Sequence, residues 1–218
     1  MNPGIAWLPA LIGAVGGAAA GWGSRLLLAR LRRGVVVRAG IIEVACALIT
    51  AVGVGLSWPG PLVALVVWAG VLGVALGAVD LVHHRLPDAL TLPAIPITLV
   101  LIGVTEFAAP ATGNVVTGLI MAGVLGGAFW ALSAISPRAM GRGDVKLVPS
   151  LALMTGYVSV AAGVLAVVIA FVLGALVALL GLLVRRLSLN SAIPFGPYLL
   201  AGCWLVLVFP ELVTVLTG

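Results

Sequence analysis

The chain reads as a succession of long apolar runs separated by short clusters of charge or turn residues. A helix needs ~20 apolar residues, rising ~1.5 Å each, to cross the hydrocarbon of a bilayer. Runs of that order predict helices over Ile5–Leu28, Ile41–Trp58, Leu62–Val79, Leu92–Phe107, Val115–Ile135, Val145–Tyr157, Val158–Val184 and Tyr198–Leu216. Ser57-Trp58-Pro59-Gly60-Pro61 and Pro110-Ala111-Thr112-Gly113-Asn114 supply turns between them. The shortest run, Val145–Tyr157, reaches only about 20 Å as a helix, so it must tilt, sit in thinned membrane or begin part-way into the bilayer. The first run ends in Arg25, Arg30, Arg32 and Arg33, whereas a secretory signal carries its charge before the apolar stretch. It therefore reads as an uncleaved helix with its N-terminus outside.

Composition agrees with this pattern. Hydrophobic residues make up 63% of the 218 positions and charged residues 8%, against roughly 25% charged in a soluble globule. That excludes a soluble enzyme, a disordered chain and a nucleic-acid-binding domain. Cys46 and Cys203 are far apart within apolar runs and point to neither a disulfide scaffold nor a cysteine metal site. With eight crossings, one set of gaps holds residues 29–40, 80–91, 136–144 and 185–197. All eleven Lys and Arg residues fall in that set or within about a turn of it. Dropping Val145–Tyr157 would put Arg185 and Arg186 on the opposite side. The expected fold class is all-α: a single integral-membrane domain over 1–218, a polytopic bundle of about eight helices, one of them short, with the basic gaps cytoplasmic and both termini outside.

The chemistry must then come from the six acidic residues. A charge at the centre of a membrane helix costs roughly 2.5–3.5 kcal/mol on insertion scales, so carboxylates abutting spans need a reason. Asp80 ends the third span and Asp144 opens the sixth, which puts both at one membrane edge and one depth. Two carboxylates brought together can share a proton, giving one acid and one base, the combination that peptide hydrolysis needs. Asp144 lies in Gly141-Arg142-Gly143-Asp144-Val145-Lys146-Leu147. Gly141 and Gly143 leave backbone exposed, so an unwound substrate segment could pair against that edge.

These stretches resemble the type IV prepilin peptidases, within the GxGD intramembrane aspartic proteases. The resemblance is carried by Asp80-Leu81-Val82-His83-His84-Arg85-Leu86-Pro87-Asp88, by Gly141 to Leu147 and by Ile193-Pro194-Phe195-Gly196-Pro197, and it runs from about residue 61 to 205. It implies that Asp80 and Asp144 are the catalytic pair of a multi-pass peptidase in the inner membrane. Its substrate would be a prepilin-like membrane protein that loses a short basic leader on the cytoplasmic side. A fainter likeness covers Gly23-Ser24, Arg30-Leu31, Arg38 and Glu43, making residues 1–60 a remnant of the bifunctional members' N-terminal part. In those members a loop with two Cys-x-x-Cys pairs, associated with N-methylation, lies between the corresponding points. Here six residues without cysteine separate Leu31 from Arg38, which argues against methyltransferase activity.

Each residue also has a plainer reading. Asp144 could be only a helix N-cap, and Asp80 or Asp144 could pair with Arg85 or Arg142. Asp88, before an apolar run, reads as an N-cap of the fourth span. His83 and His84 read as a solvated loop, with no metal and no cofactor expected. Glu43 is a capping carboxylate or a group facing the positive leader, and Lys146 either favours the charged form of Asp144 or snorkels to the interface. Ile193–Pro197 is at least a helix-entry turn, leaving open whether Phe195 and Gly196 approach the acidic pair. Glu106 and Glu211 receive no role. The competing functions are a proton- or ion-coupled transporter and an inactive pilus-assembly component. Against transport, the carboxylates lie at one face rather than at the midplane.

Overall fold

A computed structural model of the chain describes residues 7–31, 38–83, 86–136, 141–185 and 194–217. Arg32, Arg33, His84, Arg85, Arg138, Arg186, Ile193 and both chain ends lie outside the described residues. Within them the chain is all-helical: α1 Trp7–Arg30, α2 Ile41–Ser57, α3 Val63–His83, α4 Asp88–Ala108, α5 Val115–Ile135, α6 Arg142–Val158, α7 Val160–Leu183, α8 Gly196–Val208 and α9 Glu211–Thr217. Helices α1, α3, α4, α5 and α7 are long and apolar enough to cross a membrane, while α2 and α8 are apolar but shorter.

The last predicted span is broken. Tyr198–Leu216 was continuous by hydropathy, but α8 stops at Val208 and a separate short helix starts at Glu211. Pro210 is the cause, since it lacks an N–H and forces Phe209, at φ −123° and ψ 66°, out of helical geometry. Helix α4 starts four residues before the expected Leu92, on Asp88, with Pro87 as the extended residue before it.

The short run turns out to be the centre of the molecule. Helix α6 has 17 residues and packs on α4, α5, α7 and α8, with Leu147, Val148 and the whole stretch Ser150–Tyr157 buried. A helix enclosed by other helices need not match lipid along its length, so its polar residues are paid for by neighbours rather than by bilayer. The Ser150 hydroxyl donates to the Leu147 carbonyl and the Thr155 hydroxyl to the Leu151 carbonyl, both buried. At the α1–α2 seam the buried Thr50 hydroxyl lies 2.7 Å from the Gly13 carbonyl, and Trp68 Nε1 of α3 donates to Thr98 Oγ1 of α4 at 3.0 Å.

The C-terminal end of α6 is fastened by a polar knot that the sequence did not suggest. The Tyr157 ring is fully buried and its hydroxyl donates to Glu106 Oε2 near the end of α4. Glu106 Oε1 also accepts from the Ala111 backbone N–H at 2.9 Å, and the Asn114 N–H donates to the Tyr157 carbonyl at 2.8 Å. Glu106, left without a role above, closes the α4–α5 turn onto α6. Tyr157→Phe is expected to lower stability by about 1–2 kcal/mol, the loss of a bond to a carboxylate. Thermal unfolding of the detergent-solubilised protein measures this, and an unchanged midpoint would show the knot to be idle.

Candidate active site

The opposite end of the bundle gathers the C-terminal turn of α3 and the first turns of α4, α6 and α8. Asp80 lies on the last turn of α3, 4% exposed, just after the buried Val79. Val79 shares a small core with Leu28, Ile42 and Cys46, so the two N-terminal helices brace the end of α3. Asp144 lies in the first turn of α6, 6% exposed. Gly141 rather than Asp144 holds the N-cap position, and the Asp144 N–H donates to the Gly141 carbonyl at 3.1 Å. Asp144 is therefore the third residue of its helix and not the N-cap.

The third wall is the start of α8. A Cβ built on Gly196 would lie 3.1 Å from Asp80 Oδ2 and 3.1 Å from Asp144 Oδ1. The two carboxyl oxygens are thus no farther apart than twice that distance, close enough for one small molecule to touch both. Leu86 Cδ1 is 3.2 Å from the same point and forms an apolar wall. Phe195, just before Gly196, is held by Phe171 of α7, ring centroids 4.9 Å apart. Pro197 occupies the first turn of α8, where its missing N–H costs nothing.

The two glycines of the Gly-x-Gly-Asp stretch sit differently. Gly141 is exposed, and a Cβ there would be 3.1 Å from Asp144 Oδ2. Gly143 packs against the segment joining α3 to α4, where an added Cβ would be 2.8 Å from Leu86 Cβ and 3.0 Å from the Leu86 backbone nitrogen. Its lack of a side chain lets that segment close onto α6. Lys146 pairs with Asp88 at 2.7 Å, joining the first turns of α4 and α6, and Asp88 is thus the first residue of α4 and an ion-pair partner rather than an N-cap. Glu43 pairs with Arg25 at 2.5 Å and accepts from the Gly40 N–H at 3.0 Å, tying α2 to α1. His83 is exposed at the end of α3. Among the described residues no group of three or more His, Cys, Asp or Glu side chains is gathered where it could hold a metal.

The Lys146–Asp88 pair is open to solvent, at 40% and 58% side-chain exposure. Solvent screening limits such pairs to about 0–1 kcal/mol. Lys146→Ala and Asp88→Ala are each expected to shift the thermal midpoint by no more than that implies. A larger loss in a double-mutant cycle would make the pair a structural clamp.

The carboxylate pair is legible in the rare charges of an apolar chain, whereas for Gly196 the sequence leaves open whether it approaches the pair. A glycine preceding proline at a span's start was the available signal, but what it faces depends on tertiary packing.

A buried pair of carboxylates, enclosed by three helix ends at one end of a multi-pass membrane bundle, defines the class: a helical membrane protein with an acidic centre at the rim of its bundle. Residues 67–179 match the Type IV leader peptidase family, and the chain belongs to that family. It is 29% identical over 180 residues to the prepilin leader peptidase/N-methyltransferase of Stutzerimonas stutzeri, covering 80% of this chain and 59% of that protein. The protein of the same name from Pseudomonas aeruginosa gives the same identity and coverage, and that from Pseudomonas putida is 31% identical over 182 residues, 80% of this chain and 60% of that one. The chain thus spans about three fifths of the length of these relatives. No solved structure matches it.

Proposed function

We propose that the protein is an aspartic leader peptidase of the inner membrane that cuts prepilin-like substrates at the cytoplasmic face, with Asp80 and Asp144 as its acid and base. One observation carries this reading: an oxygen of each buried carboxylate lies 3.1 Å from a common point at Gly196. In the reaction the ionised carboxylate takes a proton from water as the water oxygen bonds to the scissile carbonyl carbon. The protonated partner gives its proton to the amide nitrogen as the C–N bond breaks. The leader leaves with a new carboxylic acid and the mature protein with a free amine; the pair ends with its single proton on the other member.

Membership of the leader peptidase family supports the substrate class. The eleven basic residues, all near one set of gaps, support the cytoplasmic assignment of the end that holds the pair. The absence of cysteine between Leu31 and Arg38 supports a peptidase without methyl transfer. Gly141, the exposed glycine beside Asp144, is the stretch of edge best suited to meet an unwound substrate, and Lys146, Gly143 and Glu43 act by holding the walls. The test is a reconstituted assay. Protein in liposomes is given a peptide with a basic leader followed by an apolar helix, together with a methyl donor. Mass spectrometry is expected to find two products, the mature one with an unmethylated amine. Intact substrate beside correctly folded protein would overturn the assignment, and carboxylate-dependent proton flux would replace it with transport.

A further inference from the structure

The point shared by the two carboxylates is also the place where any other residue at position 196 would put its Cβ. The 3.1 Å separations are those of a hydrogen-bonded oxygen, a little longer than the usual carboxylate–water contact. The third neighbour, Leu86 Cδ1 at 3.2 Å, offers no polar atom. At the α7–α8 seam Gly202 meets backbone, at the α1–α2 seam Gly17 meets the Thr50 hydroxyl, and Gly141 meets one carboxyl, that of Asp144; among the described glycines Gly196 is the one whose Cβ would meet two different carboxyl groups. Helix packing does not by itself call for a glycine against two acids, because polar groups that crowd a helix start are satisfied as well by Ser or Asn.

We propose that Gly196 is the positioning residue of the reaction, its missing side chain reserving the seat from which water attacks, between Asp80 and Asp144. This rests on the leader-peptidase reading and adds to it the residue that sets the water's place. A methyl group at 196 would occupy the seat while pressing only on the ends of side chains, which can yield by a few tenths of an ångström. The substrate, approaching from the exposed Gly141 side, would still bind.

Gly196→Ala therefore separates turnover from binding. Its kcat is expected to fall about 100-fold or more, with KM within about threefold of the wild type. A second readout uses two peptide inhibitors that differ by one hydroxyl at the scissile position. The hydroxyl takes the water's place, so it strengthens binding to the wild type and not to Gly196→Ala. Gly73→Ala is the control: on α3, facing α8, its Cβ would make an ordinary 3.7 Å contact with Leu200 Cβ, and its cleavage rate should stay within about threefold. Should Gly196→Ala fail to insert, Gly196→Ala with Leu86→Ala relieves the 3.2 Å contact and keeps the Cβ against which Gly143 packs. That protein is expected to cleave at least about 30-fold more slowly than Leu86→Ala alone.

Cleavage by Gly196→Ala near the wild-type rate, or a raised KM with unchanged kcat, overturns the proposal while Asp80→Asn inactivity keeps the peptidase reading. An equal hydroxyl advantage in both proteins overturns it too. Full activity of Asp80→Asn would bring down both together.

Discussion

Asp80→Asn and Asp144→Asn are each expected to lower the cleavage rate by about 1,000-fold or more without preventing insertion or folding. A positioned acid or base contributes roughly 10²–10⁴ to rate, and here each member of the pair would serve in both halves of the reaction. The amide of Asn fills the space of the carboxyl but can neither take the proton from water nor return it to the leaving nitrogen. Folding should not suffer, because Asp80 is 4% and Asp144 6% exposed, and exchanging a buried acid for its neutral isostere removes a desolvation cost. The thermal midpoint is expected to hold or rise. The double variant should be no slower than either single one, since residues that act as a unit lose their effect together. The decisive measurement is product formation by timed mass spectrometry alongside unfolding of the same samples. Activity above about a tenth of wild type in either single variant would remove the acid–base pair from the mechanism.

The parts of this molecule that were legible in its sequence are those in which local composition decides the outcome. Helices α1, α3, α5 and α7 follow from apolar runs long enough to face lipid, and their ends fall within a few residues of the change in composition. Asp80 and Asp144 stood out because a carboxylate at a span's end is costly and therefore conspicuous. Helix α6 was undersized by hydropathy because its environment is protein rather than lipid, and Pro210 was outvoted by the apolar residues around it. What could not be read were pairings between distant segments. Lys146 finds Asp88, Glu43 finds Arg25, Tyr157 finds Glu106, and Gly196 finds both acids, each through packing that no spacing rule along one helix encodes.

Packing also links the far side of α8 to the acidic centre, and Gly202→Ala is expected to reveal the link. A Cβ on Gly202 would fall inside the van der Waals surface of the Ala166 carbonyl oxygen on α7, and 3.1 Å from the Ala170 nitrogen. Both neighbours are backbone, so no rotamer change relieves the clash. Ala166 and Ala170 are themselves buried and small, which is how the two helices come so close. The substitution must therefore push α8 away from α7, at a cost of about 2–4 kcal/mol, at or above the usual range for an overpacked core. Because Gly196 is the first residue of α8, a displaced helix also moves the wall between Asp80 and Asp144. Cleavage per folded molecule should fall several-fold together with stability. Gly123→Ala on α5 provides the contrast: its Cβ would meet nothing within 4 Å, and the better helix former should gain about 0.5–1 kcal/mol with cleavage unchanged. Thermal unfolding and cleavage measured on both variants test the coupling. If Gly202→Ala were as stable and active as Gly123→Ala, the close seating of α8 on α7 would not be what holds the third wall in place.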